Sequence, residues 1–118
     1  MKKKTNKLKN LEKNRYSILT DDLSICYHCK KPADDVNEVY EGAKRITSIK
    51  LGCCIPLCRE CHKLFHNHPI QFASQYEKEC QRKFEELYSY EKFMSSFHYD
   101  YLWKERSWHN INLTFALF

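Results

Sequence analysis

The sequence predicts an α+β fold in which a ββα unit is stapled by a four-cysteine zinc site and followed by C-terminal helices. The first observation is a pair of Cys-x2-Cys motifs, formed by Cys26 with Cys29 and by Cys58 with Cys61. Motifs of this spacing clamp one zinc ion through two tight turns. The second is a strand, loop, strand order in the 28 residues between the motifs. The third is the helical spacing of apolar residues that begins at the second motif.

Composition indicates a single intracellular domain with tails. The chain has 118 residues, 14% of them aromatic and only two of them glycine, which excludes a low-complexity or disordered sequence. Residues 1–19 lack the continuous apolar run of a secretory signal, and no transmembrane run follows, so we expect a cytoplasmic protein without membrane contact. Thiols stay reduced there, and paired cysteines then indicate metal rather than disulfides. We expect Cys53, Cys54 and Cys80 to be buried as small apolar side chains.

The positive charge is concentrated at the N-terminus. Residues 1–15 hold seven basic residues and one acidic residue, whereas the rest of the chain is close to neutral despite a total charge of +5. We expect a flexible basic arm, with a frayed helix that carries Leu8 and Leu11. Such an arm suits non-specific contact with phosphates, and it equally suits a solvated terminus that aids solubility.

Three short strands and one polar loop are predicted up to the second cysteine motif. The strands are rich in Val, Ile, Leu and Tyr, which favour a pleated surface. They span residues 16–19, 36–40 and 53–57. Gly42 ends the second strand, residues 44–48 form a polar, basic loop, and Gly52 is a second turn point.

Helices follow from Arg59 onward. The first must stop near Pro69, which either ends it or begins the next helix. The next helix carries an apolar face that we assign to the core. This face consists of Ile70, Ala73, Tyr76, Cys80, Phe84, Leu87 and Tyr88. A shorter final helix begins near Glu91, and the apolar tail 103–118 either packs back as a strand or forms a surface for a protein partner.

His62 and His66 are the candidate ligands of a second metal ion. Residues four apart on a helix share one face, so both rings can bind one ion while a residue of the preceding strand completes the site. An ion with open positions can grip a scissile phosphate and stabilise the leaving oxygen. The alternatives are that His62 only hydrogen-bonds a cysteine sulfur or a carbonyl, that His66 only faces solvent, or that His68 replaces it as ligand.

These residues resemble small phage-type HNH endonucleases, and within them the recombination-associated subgroup of RecA-dependent nucleases. The likeness covers residues 16–102. It is carried by Cys26-x2-Cys29, by Asn37-Glu38-Val39-Tyr40, by the basic loop, and by Ile55-Pro56-Leu57-Cys58-x2-Cys61-His62-x3-His66. The resemblance implies a treble-clef-like ββα-metal fold in a bacterial or phage-encoded protein.

The resemblance also implies residue roles. The four cysteines would bind structural Zn2+, and His62 with His66 would bind a second divalent ion, Mg2+, Mn2+ or Zn2+. Where the family carries a histidine on the first strand, this chain has Asn37-Glu38. Asn37 is a tolerable oxygen donor for a hard ion, and Glu38 is a candidate ligand or proton acceptor. Because strand residues alternate between faces, both cannot face one ion without a bulge.

Three functions remain open on the sequence. The first is an HNH-type endonuclease that hydrolyses DNA, in which Lys44 and Arg45 contact phosphates. The second is a catalytically degenerate HNH scaffold that binds DNA through its basic arm. The third is a zinc-stapled protein-interaction domain that uses the tail 103–118.

Overall fold

The computed structural model describes residues 6–106, which form an α+β structure with a two-stranded sheet. The strands are β1 (Asp35–Glu38) and β2 (Cys54–Leu57), and the helices are α1 (Asn6–Lys13), α2 (Arg45–Lys50), α3 (Arg59–Asn67), α4 (Ala73–Leu87) and α5 (Tyr90–Phe97), with a 3-10 turn at Gly42–Lys44. The predicted fold class is confirmed at this level, since a hairpin followed by a helix lies beside a cluster of four cysteines. That arrangement is compatible with a zinc-stapled ββα unit.

The sheet register decides which strand residues share a face. β1 pairs antiparallel with β2 so that Asn37 lies opposite Ile55 and Glu38 opposite Cys54. Alternation places Asp35 and Asn37 on one face and Glu38 on the other. The predicted strand 36–40 is therefore shifted, although the Val39 amide still donates to the Cys53 carbonyl at 2.8 Å.

The polar loop predicted over 44–48 is wrong, because α2 begins at Arg45 directly after the 3-10 turn. This short helix buries Ser48 and Ile49. The Ser48 hydroxyl donates to the Tyr40 carbonyl at 2.8 Å and accepts from the Tyr40 amide at 3.3 Å. The polar side chain thus satisfies the backbone where β1 has ended.

The strand predicted over 16–19 is also wrong. The Ser17 hydroxyl accepts from the amides of Leu19 and Thr20 at 3.0 and 3.3 Å, which bends the backbone into a turn. The segment nevertheless contacts the hairpin, because the Ile18 amide donates to the Gly52 carbonyl at 2.9 Å. The arm before it contains α1, the helix that the arm was predicted to carry.

Helix α4 is shorter than predicted at its N-terminal end. Pro69 and Ile70 lie in the turn between α3 and α4, and the Ile70 side chain is 87% exposed instead of buried. Leu87 and Tyr88 are about half exposed, so the predicted core face is buried only in its central part. The buried members are Tyr76, Cys80 and Phe84. α5 starts at Tyr90, where the Ser89 hydroxyl accepts from the Lys92 amide at 3.0 Å as an N-cap.

Two clusters of buried side chains form the core. The first surrounds the cysteine cluster and includes Ile55, Leu57 and Phe65. The second is aromatic and packs α4 and α5 under the hairpin, with members Tyr40, Cys53, Cys80, Phe84, Phe93 and Phe97. Cys53, Cys54 and Cys80 are fully buried, as predicted. None of the helices within residues 6–106 is both long and apolar enough to span a bilayer.

Candidate metal centre and histidine pair

The four cysteines converge on one point. The sulfur atoms of Cys26, Cys29, Cys58 and Cys61 all lie within 4.8 Å of one another. The sulfurs of Cys29 and Cys58 are 3.6 Å apart. A tetrahedral zinc ion with Zn–S bonds of about 2.3 Å separates its sulfurs by about 3.8 Å. The cluster therefore has the donor set and the dimensions to hold a metal ion such as zinc.

Backbone hydrogen bonds position both cysteine motifs. In the first, the Lys30 amide donates to the Cys26 carbonyl at 3.0 Å, and Lys30 itself takes a left-handed conformation with φ of 69°. The Tyr27 amide donates to the Pro56 carbonyl of β2 at 2.8 Å and ties this turn to the sheet. In the second, Cys58 is the N-cap of α3. The four-cysteine cluster thus connects the turn, the sheet and the helix.

The protein environment favours the thiolate at one of these cysteines. Burial opposes ionisation of Cys26, but backbone N–H groups of Cys29, Cys58 and His28 lower its pKa to about 6. The thiolate is the form that binds zinc. His28 itself is held outside the cluster, because its Nδ1 is 2.8 Å from the Tyr76 hydroxyl and its ring packs edge-on against Phe65.

The two candidate histidines face each other on α3. The Nε2 atoms of His62 and His66 are 2.9 Å apart, and both rings are partly exposed. Two imidazole nitrogens that bind one ion at about 2.1 Å lie about 3.0 Å apart in octahedral geometry and about 3.4 Å apart in tetrahedral geometry. A hydrogen bond between the rings in different tautomers has the same length. The pair therefore has a spacing that permits chelation.

Two carboxylates that sequence reasoning missed flank this pair. Asp35 Oδ2 is 3.8 Å from His62 Nδ1, and Glu41 Oε1 is 3.9 Å from His66 Nε2. Among residues 6–106, the four cysteines are the only group of three or more His, Cys, Asp or Glu side chains already placed to hold a metal ion. The side chains of Asp35 and Glu41 are more than half exposed, so they have room to rotate toward the histidines. Asp35 lies one residue before the predicted strand 36–40, so its position beside His62 follows only from the observed bounds and register of β1.

Asn37 and His66 meet at one cavity. The cavity has a volume of about 330 Å³, and its other lining residues include Glu41, Tyr76 and Glu77. Burial raises the pKa of Glu77, while Lys44 opposes this shift. The structure thus brings both residues of the Asn37-Glu38 doublet to the lining of the cleft that holds the second histidine.

The carboxylate of Glu38 is engaged elsewhere. It is 7% exposed, and its Oε1 accepts from Arg15 Nη2 at 2.7 Å and from Arg45 Nε at 3.2 Å. Glu12 lies in the same network, with Oε2 at 3.3 Å from Arg45 Nη2 and at 3.5 Å from Arg15 Nη2. Two charge-assisted bonds give Glu38 a structural role, linking β1 to α2 and to the segment after α1.

The two predicted phosphate contacts also have partners within the chain. Arg45 binds the Glu38 and Glu12 carboxylates. Lys44 Nζ donates to the Tyr101 hydroxyl at 3.1 Å and lies over the rings of Tyr99 and Tyr101. Any contact with phosphate at these positions competes with bonds that already exist.

Of the predicted partner surface 103–118, residues 107–118 lie outside the described part of the chain.

Comparison of the chain with protein-family models, with curated proteins and with solved structures finds no match.

Proposed function

We propose that this protein is a metal-dependent endonuclease of the HNH type that hydrolyses DNA phosphodiester bonds. One observation carries the proposal, namely the 2.9 Å approach of His62 Nε2 and His66 Nε2 on a helix that begins in the cysteine cluster. The flanking carboxylates of Asp35 and Glu41 and the adjoining cleft support it. The resemblance in motif order supports it as well.

The residues have distinct roles in this proposal. A divalent ion held by His62 and His66 would polarise the scissile phosphate and stabilise the leaving oxygen. Asn37, which lines the same cleft, supplies an amide oxygen suited to a hard ion. Glu41, beside His66, accepts the proton of the attacking water. Glu38 holds the strand in place through its two arginines.

The test is cleavage of supercoiled DNA in Mg2+, Mn2+ or Zn2+ by the wild type and by His66→Ala. We expect the variant to lose cutting while its fold and its structural zinc remain. The matched control is His68→Ala, which removes an exposed histidine beside the helix end and should cut normally. Cutting by His66→Ala at the wild-type rate would exclude this site.

The engagement of Glu38 favours a second candidate, a degenerate HNH scaffold that binds DNA without cutting it. On the first strand, where HNH endonucleases carry a histidine, this chain has Asn37, and the carboxylate of the next residue, Glu38, is bound to two arginines. Asn37→His separates the two functions, since a gain of cutting shows that the remaining site is intact. If Asn37→His and the wild type are both inactive while DNA is bound, the scaffold function stands.

The contribution of the basic arm is tested with its fold kept intact. Lys7, Lys9 and Lys13 are exposed, whereas Arg15 belongs to the Glu38 network. Replacing the three lysines by Gln should reduce the salt slope of DNA binding, because fewer counterions are released. An unchanged slope would mean that the arm makes no phosphate contact.

A further inference from the structure

A second groove beside α4 is lined by aromatic rings and lysines. It has a volume of about 460 Å³. Its aromatic members are Tyr99, Tyr101 and Trp103, every second residue of the segment after α5. Tyr99 is 47% exposed and Trp103 is 49% exposed, so both rings are accessible to a ligand.

The segment that carries these rings is held rigidly. The buried Gln81 amide donates to Asp100 Oδ1 at 2.8 Å, and its oxygen accepts from the Tyr101 amide at 2.8 Å. Tyr101 also stacks on buried Tyr40, with ring centroids 4.8 Å apart. The exposed rings therefore stand on a preorganised support, so a flat ligand would bind with little ordering cost.

Cations accompany the rings. Lys44 Nζ lies 5.5 Å from the Tyr99 centroid, and Lys104 Nζ lies 5.5 Å from the Trp103 ring. Lys78 also lines the groove. Of the two acidic lining residues, Glu77 and Glu105, Glu105 accepts from Arg82 Nη2 at both of its carboxylate oxygens, each at 2.6 Å. The three lysines of the lining outnumber its two carboxylates, which favours an anionic ligand.

Glu77 lines both this groove and the cleft of the histidine pair, so the two cavities share one lining residue.

We propose that this groove binds unpaired nucleotides, with bases stacked on Tyr99 and Trp103 and phosphates neutralised by Lys44, Lys78 and Lys104. Aromatic faces with interspersed cations are the usual means of binding single-stranded nucleic acid, because every base offers a π-face and every linkage a charge. In a duplex the faces are hidden by stacking, so the groove selects single-stranded or frayed DNA. The inference rests on the proposed function only for the reason why this protein would bind a single strand, whereas the binding itself rests on the residues of the groove.

Binding is measured by fluorescence anisotropy with labelled oligothymidylate of about 12 nucleotides, a length within known single-strand site sizes, and with a duplex of the same length. We expect tighter binding of the single strand. Trp103→Ala should weaken it about tenfold, which is within the range for loss of one stacked base. The matched control is Tyr90→Ala, which removes a ring that is 39% exposed and outside the groove and should leave affinity unchanged.

The outcomes separate this inference from the nuclease proposal. The measurement is repeated in the His62→Ala/His66→Ala variant, which should still prefer the single strand although it cannot cut. Equal effects of Trp103→Ala and Tyr90→Ala, or equal affinity for duplex and single strand, would overturn the groove assignment whether or not the wild type cuts DNA. Absence of nucleic-acid binding in the groove would also overturn it and would leave a protein partner as its occupant.

Discussion

Replacing Glu38 by Gln tests the role that the structure gives to this residue. Gln keeps the size and one acceptor oxygen but removes the charge that Arg15 and Arg45 share. The two guanidinium groups would then lie close together with only Glu12 to compensate them, at 3.3 and 3.5 Å. The buried position of Glu38 prevents water from replacing the lost interaction.

The magnitude follows from burial. Removing one partner of a fully buried ion pair costs about 3–5 kcal/mol, and a hydrogen bond to a charged group contributes about 1.5–3 kcal/mol. The Arg45 side chain is 36% exposed, and Glu12 remains, so both figures must be reduced. We expect Glu38→Gln to lower the free energy of unfolding by about 2 kcal/mol, which is a fall in Tm of roughly 8 °C for a chain of this size.

The assay is thermal and urea unfolding at a fixed, saturating zinc concentration, because bound metal shifts the apparent stability. The matched control is Glu41→Gln, whose side chain is about half exposed and should change stability by less than about 0.5 kcal/mol. If both variants lose the same small amount, the Glu38 network does not stabilise the fold. Glu38 would then be available as a proton acceptor.

Two further predictions concern the metal and the hairpin. Treatment with a strong chelator, or the substitution Cys58→Ala, should unfold the ββα unit because both remove the metal. The control Cys54→Ala changes a buried cysteine outside the cluster and should keep the metal. Circular dichroism measures the unfolding, and mass spectrometry counts the bound metal. Gly42 and Gly52 have φ of +66° and +73°, but only a Cβ at Gly52 would meet Tyr16, at 2.4 Å. Because a left-handed backbone costs an L residue about 1–2 kcal/mol, Gly42→Ala should lower the free energy of unfolding by about 1 kcal/mol. Gly52→Ala should lower it further, because the Tyr16 ring must also move. Urea unfolding measures both losses, and equal losses would contradict this packing.

The four-cysteine site and helix α4 could be predicted from the sequence because each produces a local sequence pattern. The spacing of the cysteine motifs fixes a turn, and the three- and four-residue steps fix the buried face of α4 around Tyr76, Cys80 and Phe84. Ile70 fitted the same pattern but lies in a turn, since periodicity does not say where a helix begins once a proline precedes it.

Long-range partners explain what the sequence did not reveal. α2 has six residues, too few for a periodic signal, and its buried Ser48 is satisfied by Tyr40, eight residues away. The partner of Glu38 is Arg15, 23 positions earlier in a segment expected to be a flexible arm. Asp35 became visible beside His62 only once the register of β1 was known.

The proposed second ion would depend on a fold that metal binding at the four cysteines stabilises, whereas the four-cysteine site has no histidine among its ligands. His62 follows Cys61 directly, and its amide donates to the Cys58 carbonyl at 2.9 Å, so the cluster sets the position of the helix that carries both histidines. Loss of structural zinc should therefore remove the second site with it. Loss of the histidines should leave the zinc in place, because none of the cysteine ligands depends on an imidazole ring. When a chelator is titrated into the protein, we therefore expect the weaker ion to leave first, without unfolding.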